Sequence, residues 1–239
     1  MINFPRTRTV LLAICLGFIV ANTGIAAPQH HVVDRSSTPP WLGKIKVKRV
    51  VAASSPDNAF ATLKSVLESA KKTIHIAVYE LDNAYIGDIL EEALDRGVKV
   101  KILFEGAPIP KIPEGELFIA RKLTKKGAEV SFYDDTKGRR NRKFSYFHNK
   151  YTVVDGERVI VGSNNYGNNG HPVETSYGNR EWELVIDDPR AAALYEAAFE
   201  ADSEIGDEWV EYGAAPEYTL KNKKYEENRA TRKGHYTLD

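Results

Sequence analysis

A histidine, a lysine two residues on and an aspartate five beyond that mark His148-Asn149-Lys150-Tyr151-Thr152-Val153-Val154-Asp155, and Gly162-Ser163-Asn164-Asn165 follows. An imidazole, an ammonium, a hydroxyl and a carboxamide supply a nucleophile, a cation and two neutral hydrogen-bonding groups, with no metal-ligand set among them. That combination suits a phosphodiester. The cation and the neutral donors offset the negative oxygens that repel attack, and a protonated acid at the leaving oxygen lets a poor alkoxide depart. The set requires neither metal nor cofactor.

The elements that must position these groups are two short strands. Tyr151, Val153 and Val154 on one side and Val159–Val161 on the other flank Asp155-Gly156, a strong hairpin signal. Side chains at i and i+2 of a strand share a face roughly 6 to 7 Å apart, so His148 and Lys150 can reach one phosphate. With Asp155-Gly156 as the two-residue loop, Ser163 comes opposite His148. With Gly156-Glu157 as the loop, Asn165 faces His148 and Ser163 faces Lys150. Both registers keep the four groups on one face. Further on, Glu181–Ile186 reads as a strand with Glu181 and Glu183 on one face and Trp182, Leu184 and Ile186 on the other.

The pattern HxKxxxxD…GSxN resembles the signature of the phospholipase D superfamily. The resemblance runs from about Val50 to Phe199, takes in the strand-helix-strand opening from Ile74 to Gly106, and includes Asn179-Arg180-Glu181. It implies an α/β fold: one domain, a mixed β-sheet flanked by helices on both faces. It also implies His148 as the nucleophile forming a phosphohistidine, with Lys150 and Asn165 on the non-bridging oxygens and Ser163 assisting. Glu181 would orient an imidazole, with Asn179 in support beside it. Asp155, at the turn, reads as structural rather than chemical. Members of the superfamily use two copies of the motif, and this chain carries one. A homodimer that sets two His148 side chains across a two-fold axis supplies both imidazoles, one to attack and one to protonate.

In chain order, residues 1–27 begin with Arg6 and Arg8, pass through the apolar Val10–Val20 and reach Gly24, Ala26 and Ala27. This is a secretory signal pattern, too short to span a bilayer comfortably, with an uncleaved anchor as the alternative. The protein is therefore expected in the periplasm, at the cell surface or in the medium. Cys15, the single cysteine, lies in this segment, so the mature chain has no disulfide framework. Loss of two arginines turns a balance of 33 against 33 into 31 against 33, so any attraction for an anionic polymer must be local. Residues 28–43 read as a polar linker in which His30 and His31 are solvated, and the domain is expected over 44–203. Ser55-Pro56 reads as a helix start. Apolar residues at helical spacing mark helices around Phe60–Ala70, Ile86–Ala93 and Leu117–Leu123, and Ala193, Tyr195 and Phe199 mark a last one opened by Asp188-Pro189. Thr73–Glu80, Val98–Phe104 and Val130–Tyr133 read as strands between them. His75 is a core or site-rim histidine, and His171 a solvated one in the loop 166–178. Residues 204–239 read as a polar tail.

Just upstream of His148 lies a basic run, Lys137, Arg139, Arg140, Arg142 and Lys143, followed by Phe144, Tyr146 and Phe147. Basic and aromatic side chains together suit a nucleic-acid backbone with unstacked bases, and equally suit anionic phospholipid headgroups. The sequence thus favours a nuclease-like phosphodiesterase. A phospholipase D acting on phospholipid and a non-catalytic anion-binding module are the alternatives.

Overall fold

A computed structural model describes residues 45–47, 49–134, 143–173, 177–205 and 209–221. The expected signal segment, the linker, and Lys137, Arg139, Arg140 and Arg142 lie outside them. In chain order the elements are β1 (Val50–Ser55), α1 (Ala59–Glu68), β2 (Thr73–Val78), α2 (Ala84–Asp95), β3 (Lys99–Glu105), α3 (Glu114–Lys125), β4 (Glu129–Tyr133), β5 (Lys150–Val154), β6 (Arg158–Gly162), β7 (Glu181–Asp187), α4 (Pro189–Ser203) and β8 (Trp209–Glu211). A 3₁₀ turn, Pro216–Tyr218, follows.

All eight strands form one mixed sheet in the order β1-β7-β6-β5-β2-β3-β4-β8. Strands β2, β3 and β4 run parallel, joined by helical crossovers, and every other pairing is antiparallel. The two faces are covered by different helices. Ile74, Ile76 and Val78 of β2 pack with the apolar faces of α1, α2 and α3 (Leu63, Leu67, Ile86, Leu90, Ile119, Leu123). On the opposite face Ala77, Tyr151, Val153 and Val159 pack under Ala191, Ala192 and Phe199 of α4. This is the α/β sandwich with helices on both faces that the sequence pattern implies. α2 and α3 stop where a left-handed residue is needed, at Gly97 (φ 86°) and Gly127 (φ 95°).

Four details depart from the sequence reading. The hairpin turn spans Asp155–Glu157, because Val154 pairs with Arg158, so neither two-residue register holds. Ser55 ends β1 rather than capping a helix, and Asn58 occupies the N-terminal boundary of α1. Ala193 is exposed, and Ala191, Ala192 and Phe199 are the buried residues of α4. Residues 209–220 are part of the fold rather than a tail: β8 pairs with β4, and Tyr218 and Leu220 are buried in the main core. The ring of Tyr218 stacks on Phe132 with centroids 4.9 Å apart, which explains why so polar a segment stays docked.

Candidate active site

His148 and Lys150 stand at the amino end of β5, beside the carboxyl end of β2. Lys150 is the register partner of Val78, and the Tyr79 N–H donates to the Asn149 carbonyl at 2.9 Å. Tyr79 packs against both functional side chains. Its ring lies edge-on to the His148 ring, 4.6 Å between centroids, and the Lys150 Nζ lies 5.0 Å from its centre. Tyr146 meets the same ring from another side at 6.3 Å. The Tyr79 hydroxyl accepts the Ile109 N–H at 2.9 Å, which holds the ring in place. The Lys150 ammonium also donates to the His148 carbonyl at 3.2 Å. Behind them, Glu105 is fully buried at the end of β3 and accepts the backbone N–H of Phe147 and of Ala107. The segment entering the site is thereby tied to the sheet.

The electrostatics favour a reactive pair. His148 is exposed, yet partial desolvation and the nearby Lys150 charge hold its imidazole below the ordinary histidine value, against an opposing pull from Glu105. A neutral ring has a free lone pair, which a nucleophile needs. Burial drives Lys150 from 10.5 down to about 8, with Glu181 and Glu80 pulling it back upward. A buried ammonium that no carboxylate contacts among the described residues is primed to take an anionic oxygen.

The remaining expected residues are arranged less simply. Glu181 feels the Lys150 charge, and its Oε1 accepts the Asn179 Nδ2 at 3.0 Å. Among the described residues no hydrogen bond joins Glu181 to His148. Continued by one residue, the β5–β6 register sets Gly162 rather than Ser163 beside Lys150. Ser163 is exposed, and its Oγ accepts the Trp182 N–H at 3.3 Å. Asn165 follows β6, and its buried Oδ1 has no hydrogen-bond partner among the described residues. Asp155 sits at the far end of β5, about 17 Å along the strand from Lys150. Its carboxylate accepts the N–H groups of Lys71, Lys72 and Thr73 at 2.7 to 2.9 Å. That is the structural role its place in the turn implied. Of the basic run, Lys143 alone is described, 4.0 Å from Asp202 and over the Phe144 ring at 4.9 Å.

Of the two remaining described histidines, one sits where the sequence reading put it and the other does not. His75 is half-buried under α4, bonded to Glu196 and stacked on Phe199. His171 is not solvated but wholly buried, with Nε2 3.0 Å from Glu183 Oε2 and Nδ1 3.0 Å from the Asn165 carbonyl. Sequence reasoning also passed over Tyr79. Its signal was its place at the carboxyl end of a parallel strand, where open α/β sheets bind ligands. Among the described residues, no three His, Cys, Asp or Glu side chains are grouped so as to hold a metal ion.

Residues 63–203 match a family model described as "Cardiolipin synthase, PLD-like domain". Two proteins named mitochondrial cardiolipin hydrolase are similar in sequence. The one from Chlamydomonas reinhardtii is 23% identical over 141 residues, covering 56% of this chain and 52% of that protein. The one from Xenopus tropicalis is 26% identical over 164 residues, covering 66% and 65%. The chain thus spans less than two thirds of either relative's own length. In fold it resembles a phospholipase D family member, Nuc from Salmonella typhimurium, with a TM-score of 0.58 and 23% identity over 69% of this chain and 97% of that one. NucT from Helicobacter pylori gives 0.57 and 20% over 69% and 99%.

Proposed function

The chain belongs to the phospholipase D superfamily, and from that premise we propose that it is a metal-independent phosphodiesterase working through a phosphohistidine. The observation that carries this reading is the neutral-leaning His148 and the water-stripped Lys150 against one aromatic wall. An imidazole nitrogen of His148 attacks phosphorus, a P–N bond forms, and the P–O bond to the leaving alkoxide breaks as that oxygen takes a proton. Lys150 and Asn165 hold the non-bridging oxygens, with Ser163 assisting. Water then attacks phosphorus, loses its proton to the group that served as acid, and releases His148.

The acid has to come from elsewhere than this site. Among the described residues the other histidines are His171, which is sealed from solvent, and His75, four residues back along β2 from Tyr79 and bonded to Glu196. A second copy of the chain supplies the missing imidazole, so the working unit is a homodimer with one neutral and one protonated His148, titrating as a pair. Glu181 steadies one of these rings in the assembled site, with Asn179 steadying Glu181. The N-terminal segment directs the protein out of the cytoplasm.

Nucleic acid is the substrate this reading favours. Tyr79 and Tyr146 beside the nucleophile offer faces on which bases stack, and the basic run from Lys137 to Lys143 suits a phosphate backbone. The second reading is a phospholipid, favoured by the names of the two similar cardiolipin hydrolases. Full-length protein and H148A, incubated in chelator with single-stranded DNA, RNA, and cardiolipin or phosphatidylcholine vesicles, separate the readings. Cleavage of nucleic acid by the wild type alone supports the first. Turnover of vesicles alone replaces it with the second. Activity that needs added magnesium counts against the scheme as a whole.

A further inference from the structure

The loop after Asn165 closes over a buried polar pair for which the phosphohistidine scheme has no use. His171 is fully buried and Glu183 is 2% exposed. The imidazole spans between them and the active-site loop: Nε2 lies 3.0 Å from Glu183 Oε2, and Nδ1 lies 3.0 Å from the main-chain carbonyl of Asn165. Both partners are oxygens that ordinarily accept. A neutral imidazole beside an ionised carboxylate would leave one nitrogen lone pair facing an acceptor, in a place closed to bulk solvent. Both contacts are attractive only if the pair holds two protons between them. Either the ring carries both, or the carboxyl donates to Nε2 while Nδ1–H donates to Asn165. Either way the pair is neutral overall, which is what burial demands of it.

The surroundings fix this unit from several sides. The His171 N–H donates to the Gly167 carbonyl at 2.8 Å, and its carbonyl accepts from the Asn83 side chain at 2.8 Å. Tyr166 meets the ring edge-on at 5.1 Å, and its hydroxyl is 2.8 Å from Thr152 Oγ1, on the strand that carries Lys150. Gly170 lies so close beneath Asn165 that a Cβ there would come within 2.2 Å of its carbonyl oxygen. Glu183 itself stands two residues along β7 from Glu181, on the same face, and opposite Gly162.

The geometry points to His171 and Glu183 as positioning residues that lock the Asn165 peptide to β7, so that its side-chain amide is set against the phosphate held by Lys150. This rests on the phosphodiesterase reading above. His171 touches no substrate and is not a catalytic residue.

The test is steady-state hydrolysis of a chromogenic phosphodiester, bis(4-nitrophenyl) phosphate, by the full chain and by H148A, H171F, E183L and E183Q, with thermal melts beside it. Phenylalanine fills the space and makes neither bond. Leucine leaves the buried Nε2 without a partner and cuts the ring's tie to β7. Glutamine can donate to Nε2 and restores that tie. The expected result is a kcat lowered about ten- to a hundredfold in H171F with KM within about threefold, as a misplaced group near the chemistry produces. E183L should fall in the same direction, and E183Q should regain most of what E183L loses. Full kcat in a folded H171F overturns the proposal while the phosphodiesterase reading stands. So does E183Q behaving like E183L, a comparison that decides the matter even if H171F does not fold. Wild type no faster than H148A removes the reading and the proposal together.

Discussion

The two ends of β5 carry opposite electrostatic arrangements. At the amino end Lys150 is buried with no contacting carboxylate among the described residues, and its pKa sinks to about 8. At the other end the Asp155 carboxylate, though partial burial pushes its pKa upward, is held below the usual value by the N–H groups of Thr73, Lys71 and Lys72. One charge has a single neutral carbonyl and an aromatic ring beside it, and the other has three N–H donors. Both belong to a single eight-residue motif. On the proposed scheme the histidine and lysine of that motif do the chemistry, while its aspartate is a clasp that ties the hairpin to the start of β2.

The sharpest way to break this contrast is H148A. Loss of the nucleophile should lower kcat about 10⁴-fold or more, while an exposed ring contributes little to packing, so the melting temperature should stay put. A fall in both would assign His148 to the fold. K150M comes next, with about 10²- to 10³-fold lost as an electrostatic contact to the transition state disappears. Its melting temperature should hold or rise, because the variant no longer buries a charge.

The pH profile sharpens the same end. Lys150 is charged below about 8 and loses its proton above it, so kcat/KM should fall on the alkaline side near that value. K150R should carry that limb to higher pH, since a guanidinium stays charged. On the acid side, the depressed value of His148 keeps the nucleophile free below the ordinary histidine range.

D155A tests the other end. Three charge-assisted bonds give way and stability should drop by about 3 kcal/mol, read as a lower midpoint in urea, with kcat of the folded fraction nearly unchanged. Because the folded pKa of Asp155 is depressed, its contribution is present above the unfolded value of about 4 and fades as pH falls through the folded one. The gap between wild type and D155A should therefore close in acid. Smallest is Y79F, which loses only the hydroxyl that accepts from Ile109 and should cost less than about threefold in kcat. Y79L removes the wall itself and should cost about tenfold, consistent with loosened positioning of both side chains.

Much of this was legible in the chain. Helical spacing at Phe60, Leu63 and Leu67, and at Ile86, Ile89, Leu90 and Ala93, placed α1 and α2, because each apolar stripe had one core to face. The pair His148 and Lys150 was legible as a spacing, although β5 begins only at Lys150 and the two side chains come together at the Tyr79 ring. The register was not. Asp155-Gly156 located the turn, but the length of the turn depends on a carboxylate reaching amides more than eighty residues earlier, a tertiary contact no local pattern encodes. His171 and Glu183 each read as a polar residue of its own stretch, a histidine in a polar loop and an acid on the face opposite Trp182, Leu184 and Ile186. The structure reverses that strand, burying Glu183 and exposing Trp182 and Leu184, because the acid has a buried imidazole to meet. β8 was missed for a plainer reason: three residues in a polar context carry too little periodicity to read.

The place of β8 has a practical corollary. A polypeptide cut after Ser203, at the natural-looking end of α4, would lose Trp209 from the Tyr133 ring and Tyr218 from Phe132. It would also bare the outer rim of β4, a row of amides and carbonyls with nothing alongside and aromatic rings newly wetted. Such a rim recruits other molecules, so the trimmed protein should come out of cells as insoluble clumps, and residues 209–220 are best regarded as the fold's selvedge.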